Sequence, residues 1–139
     1  MSMSGGELKV LLALDKLATA LQPAYTYIAG TFSQNFSDSS VNVEILYNNS
    51  PYTLSLIPDI GGVVIFTTEE SASDIRNTQL FLGPSSHPIC TLSIQDQTNN
   101  PIAIKVISWN ISNDQPDARG FGLDGAIPVN FELRFYTAV

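Results

Sequence analysis

A single cysteine, Cys90, excludes any disulfide within the chain and with it the small disulfide-stapled scaffolds. His87 is the only histidine, so metal sites that depend on paired histidines are excluded, and one cysteine does not replace the second. Charge is scarce as well. The six basic residues, Lys9, Lys16, Arg76, Lys105, Arg119 and Arg134, are scattered singly in a chain of net charge −7. A nucleic-acid backbone or an anionic membrane surface would demand clustered cations, so neither is an expected partner. No run reaches the ~18 apolar residues of a membrane span. The N-terminus lacks a basic n-region and a cleavage-type end, and is not read as a secretory signal.

Catalytic motifs are missing too. No Gly-x-Ser-x-Gly elbow accompanies the lone histidine, and no phosphate-cradling Gly-x-x-x-x-Gly-Lys occurs. Gly120-Phe121-Gly122 follows no strand of a βαβ unit. Cys90 lies three residues from His87 between Ile89 and Thr91-Leu92, a setting for a buried, inert thiol rather than an activated nucleophile. Glu69, Glu70 and Asp74 follow an apolar strand and read as a solvated turn, not as paired catalytic carboxylates. The expectation is a protein that is not an enzyme and needs no cofactor.

What is present is uncharged polarity. Fifteen Ser, 10 Thr, 10 Asn and 6 Gln make 41 such side chains against 19 charged ones. Charged groups keep an isolated protein soluble, whereas Lys, Glu and Asp are depleted where chains bury surface against each other. This skin suits a subunit covered by neighbours, and it is also common on β domains of secreted type. With 44% hydrophobic residues in 139, the chain can build one core and one domain.

The apolar period changes once along the chain. Residues 1–6 are expected to be a flexible start, with Ser4 and Glu7 spaced as a capping box. Residues 7–22 then read as a short amphipathic helix with Val10, Leu14, Leu17 and Leu21 on one face, stopped by Pro23. From 23 to 139 the pattern is that of strands: Tyr25–Phe32, Val41–Tyr47, Tyr52–Ile57, Val63–Thr67, Thr78–Leu82, Ile89–Gln95, Ile102–Ile111 and Ile127–Thr137. Turn clusters of Ser, Asn, Asp, Gly and Pro separate them. Eight strands at about ten-residue spacing give an all-β expectation, an antiparallel sandwich or jelly roll with one short N-terminal α-helix. Val63–Phe66 is apolar throughout and reads as buried on both faces. Trp109, inside a long apolar strand, is expected in the core.

Three surfaces stand out as candidates. The helix face of Val10, Leu14, Leu17 and Leu21 is too apolar to stay exposed and would dock on protein. On the strands Val41–Tyr47 and Val129–Phe135, strict alternation places Asn42, Glu44, Asn130, Glu132 and Arg134 away from the core, where they could meet a neighbouring chain. The long irregular stretch Ser112 to Ala126 carries Asn113, Asp114, Asp117 and Asp124, oxygen ligands of the type that suit calcium, though in no EF-hand spacing. Tyr25, Tyr27, Phe32, Phe36, Tyr47 and Tyr52 could form a sugar-stacking platform, but alternating aromatics in strands more often pack in a core or across strands.

The leading expectation is a structural, self-assembling protein, a homo-oligomer or larger assembly. Its most concrete form is a virion component: a small capsid, decoration or tail-associated subunit. The alternative is a lectin-like binding module using the 112–126 loop. A third reading joins the N-terminal helix to the sandwich as a pore-forming toxin. That arrangement broadly resembles the actinoporin-type cytolysins, but their aromatic lipid-binding patch and basic charge are not evident in this chain. The helix face yields a test. Leu17→Asp should cost several kcal/mol of folding stability if the face packs in its own domain, since an unpaired carboxylate would be buried. If it packs on a neighbour, the monomer should stay folded while the assembly dissociates. A variant that loses neither, judged by denaturation and native mass, refutes the packing.

Overall fold

Period-two apolar patterning produces two stacked antiparallel sheets. The computed structural model describes residues 9–10, 25–70, 75–99, 102–122 and 127–137. One sheet runs in the order β2 (Val41–Asn48), β1 (Tyr25–Gln34), β9 (Val129–Thr137), β5 (Ile75–Leu82). The other runs β3 (Leu54–Pro58), β4 (Val63–Thr68), β7 (Ile102–Asn110), β6 (Cys90–Asn99), with the two-residue β8 (Gln115–Pro116) paired to β7. Three hairpins, β1–β2, β3–β4 and β6–β7, each stay within one sheet, which makes the architecture a β-sandwich. All eight expected strands are present, with ends shifted by up to four residues.

Of the expected helix, Leu14, Leu17 and Leu21 lie outside the described residues. Lys9 and Val10 are helical and exposed. Among the described residues no helix is long and apolar enough to cross a membrane.

The core forms where the alternation of β1 and β9 aims Ile28, Phe32, Val129, Phe131, Leu133 and Phe135 at Val64, Phe66, Ile102, Ile104 and Val106 of the opposite sheet. Its centre is aromatic. Phe32 meets Phe66 edge-on with ring centroids 5.2 Å apart, and Phe66 meets Phe131 at the same separation. Edge-to-face contact suits the ring quadrupoles and fills the gap between sheets that lie about 10 Å apart. A fourth ring, Phe121, packs at a tilt 5.2 Å from Phe32 but comes from no strand. It ends a 3-10 turn, Ala118–Phe121.

That turn corrects one expectation. The stretch from Ser112 is not irregular throughout: it holds β8 and a turn whose Ala118, Gly120 and Phe121 are buried. Trp109 corrects another. It faces outward, opposite Thr91, and its indole N–H donates to Ser93 Oγ at 3.0 Å. The inward positions at that end of β7 belong to Ser108 and Asn110, both buried, because there the strand faces the polar 117–120 turn rather than the aromatic centre. Val63, Val64 and Phe66 are buried as read from the sequence, but Ile65 between them is only half-buried.

Phe32→Ala should destabilise the fold by about 3–5 kcal/mol, the usual cost of an aromatic deleted from a packed core. Chemical denaturation monitored by Trp109 fluorescence measures it. A loss under 1 kcal/mol would show that the aromatic centre is not the main support of the sandwich.

Candidate functional site

Two regions carry exposed, organised side chains. The first is the β2 edge with the adjoining outer face of its sheet. Asn42, Glu44, Asn130, Glu132 and Arg134 all lie on that outer face, in register with Ser33, Thr31 and Ala29 of β1 or flanking them. The face is more aromatic than its polar residues indicated. Tyr47 packs on Tyr27 (4.9 Å), Tyr27 on Tyr25 (6.1 Å) and Tyr25 on Tyr136 (5.4 Å). Arg134 is no loose rim charge. Its guanidinium lies over the rings of Tyr25 and Phe81 at 4.7 and 4.5 Å and binds Glu132 at 3.0 Å. Aromatic faces and a neighbouring carboxylate both favour the cation, so it is held as a planar piece of the surface.

Strand β2 keeps the alternation expected of Val41–Tyr47 but little of the burial that alternation implies. Val43 and Ile45 do point to the sandwich interior, opposite Phe32 and Gly30, yet remain 42% and 43% exposed. The strand is the sheet's edge, and the opposite sheet does not cover it. A register shift between Ala29 and Gly30 leaves Leu46 as the extra residue of a bulge, 64% exposed.

The second region is a cleft of about 540 Å³ at one end of the sandwich, lined by Phe36, Gly61, Pro116, Asp117, Ala118 and Arg119. Buried hydrogen bonds build it. Gln34, fully buried at the end of β1, donates to the carbonyls of Ser39 and Ile60, both at 3.0 Å, and accepts the Gly62 N–H at 2.8 Å. One amide thus ties together the turns after β1 and before β4. Gly62 has φ +88°, and a side chain there would collide with the Asp117 backbone, so only glycine lets the turn before β4 approach the Pro116–Asp117 backbone. On the other wall Asp117 caps the 3-10 turn by accepting Arg119 N–H at 2.9 Å, and it also accepts from Arg119 Nε, Arg119 Nη2 (2.7 Å) and Asn110 Nδ2 (3.0 Å). The Arg119 guanidinium holds the Asp117 carboxyl well below the usual carboxylate range, helped by the Arg119 and Asn110 N–H groups and opposed by partial burial.

This geometry redistributes the expected loop residues. Asp117 is turned inward onto Arg119 and Asn110. Asn113 accepts Gln115 N–H, and exposed Asp114 has φ +60° at the loop tip. Asp124 lies outside the described residues. Among the described residues no three His, Cys, Asp or Glu side chains gather as a metal site. His87 Nδ1 accepts Ile89 N–H at 3.2 Å, and Cys90 is buried beneath Gly120. Glu70 accepts both Thr53 N–H and its hydroxyl, at 2.8 and 2.7 Å.

No relative supplies an activity. The chain matches no protein-family model, no curated protein and no solved structure.

Sequence reasoning missed Arg119, noted only as a dispersed cation, and Phe81, Tyr136 and Leu46. Phe36 left a signal: an aromatic inside Asn35–Ser40, a turn of small polar residues, has nowhere to go but solvent.

Removing the Asp117 carboxyl should be felt at acid pH. A carboxylate whose folded pKa is depressed adds stability above its unfolded value near 3.9, and that stability is lost as pH falls below it. Asp117→Asn should therefore flatten the fall of stability between about pH 5 and 2. Asp117→Ala, which also removes the cap, should cost about 1–2 kcal/mol near neutral pH. Equal acid slopes in wild type and Asp117→Asn, measured by urea unfolding across that range, would contradict the assigned pairing.

Proposed function

We propose that the chain is a structural, self-assembling protein whose copies meet along β2 and the aromatic outer face beside it. One observation carries the reading: β2 is an eight-residue edge strand with residues 42–48 exposed, among them Val43, Ile45, Leu46 and Tyr47. Edge strands present unpaired backbone donors and acceptors, and monomeric proteins guard them with lysine, proline or inward charges. The sequence VNVEILYN has no lysine and no proline, and its one charge, Glu44, points outward. The bulge at Leu46 guards only the far end and leaves Val41–Ile45 straight.

The adjoining surface has the composition of a contact. Tyr and Arg are enriched among the residues that dominate the energetics of protein interfaces, and they are concentrated here around Arg134. Exposed Val10 of the expected helix face adds a further uncovered apolar group. The charge-poor, Asn- and Ser-rich skin supports the same reading. Its most concrete form is a virion component, a small capsid, decoration or tail-associated subunit, and detection of the chain in purified particles by mass spectrometry tests that form.

Assembly is tested by native mass. Wild type should sediment as an oligomer or larger particle. Ile45→Lys should dissociate it with little loss of folding, because the residue is already substantially exposed and lysine blocks strand addition. A wild-type chain that stays monomeric at every accessible concentration refutes the reading.

A further inference from the structure

We infer that the cleft between Phe36 and the Asp117–Arg119 pair is a binding site for an uncharged saccharide. The inference is independent of assembly, since the cleft and the β2 strand share no lining residue. At about 540 Å³ the cleft falls in the size range of small-molecule sites.

Three features select the ligand class. The first is a ring without an internal role. Phe36 is 65% exposed in a loop made rigid by Asn35 N–H to Ser40 O at 2.8 Å and Asn35 Nδ2 to Ser40 Oγ at 2.6 Å. Solvent exposure of so large an apolar group costs free energy that contact with an apolar ligand face recovers. The C–H face of a pyranose is such a surface.

The second is a polar group of fixed orientation. Asp117 takes the Nε and Nη2 edge of Arg119, and the Asp117 side chain is only 13% exposed. A guanidinium has five N–H donors in one plane. The Nη1 edge of Arg119 makes no hydrogen bond among the described residues, and the side chain is 35% exposed. It presents donors to oxygen acceptors such as ring and hydroxyl oxygens.

The third is charge. Asp117 neutralises Arg119 in place, and the chain carries −7 overall, so an anionic ligand gains little from this arginine and is repelled at long range. A flat apolar face combined with many neutral oxygens describes a saccharide better than a phosphate, a carboxylate or a purely apolar ligand. The buried Gln34 network supplies rigidity, so the walls need not be ordered on binding.

The test is saturation-transfer NMR of the full chain with a panel of neutral mono- and disaccharides, beside sialylated and sulfated counterparts. Expected are binding to a subset of the neutral sugars, little dependence on salt, and no gain from added anionic groups. Phe36→Ala, at an exposed position, should weaken binding about tenfold or more while circular dichroism stays unchanged. Arg119→Lys keeps the charge but loses the planar fork, and should weaken it comparably. Trp109→Ala, on the outer face of the other sheet, should have no effect. The proposal is overturned if no neutral saccharide binds, if anionic sugars bind better and release with salt, or if binding survives Phe36→Ala and is lost on Trp109→Ala.

Discussion

Everything at the cleft end of this molecule depends on one ring, Phe121, being needed in the core. The strands supply Phe32, Phe66 and Phe131 to the gap between the sheets, and Phe121 packs onto Phe32 from a loop. For a loop residue to reach the core, the chain must tighten immediately before it. It does so as a 3-10 turn with Asp117 as cap, and Gly120 passes so close to Ser108 and Cys90 that a side chain there would collide with both. The position of Arg119 follows, one residue from the buried glycine and two from the carboxylate that holds it. Hydrophobic closure of the core therefore sets where the Asp117–Arg119 pair sits in the cleft wall.

The cleft in turn explains why polar groups are buried at this end. Gln34, Ser108 and Asn110 occupy inward positions that aliphatic residues fill elsewhere. Burying an amide costs several kcal/mol unless its hydrogen bonds are made. Gln34 makes three, all to backbone of the turns that frame the cleft. An apolar residue would pack as well and leave those turns untied. The satisfied Gln34 network rigidifies the turns and specifies one geometry, whereas Ser108 Oγ, buried against Gly120, has no hydrogen-bond partner among the described residues.

The strands were legible because alternation along β1, β2, β7 and β9 reports directly on which side chain faces which way. What alternation does not report is coverage. Val43 and Ile45 follow the same pattern as Phe131 and Leu133, yet the first pair sits on an edge and the second under a full sheet. Strand order decides between them, and strand order is a long-range property. Trp109 misled for a related reason. In Ile102–Asn110 the apolar residues Val106 and Ile107 are adjacent and both buried, so the period is blurred just where the inward positions turn polar. The cleft was half legible. Asp117 stood out within a loop rich in Asp and Asn, but its partners Phe36 and Gly61 lie more than fifty residues earlier and are brought to it by Gln34.

The same long-range order gives the β2 edge its meaning. The aromatic outer face could be dismissed as cross-strand packing, since Tyr25, Tyr27, Tyr47 and Tyr136 touch one another. Cross-strand packing does not account for Leu46, lifted out by the bulge, or for Val43 and Ile45, uncovered on the opposite side of the same strand. A strand exposed on both faces and along its free edge presents Val43 and Ile45 on one side, Tyr47 on the other and a row of backbone donors and acceptors that can template pairing. One neighbouring strand that paired with β2 would satisfy the backbone edge and extend both sheet faces over these residues together. No ligand confined to one face does that, so the partner proposed for β2 is another polypeptide, whereas the partner proposed for the cleft is a small molecule.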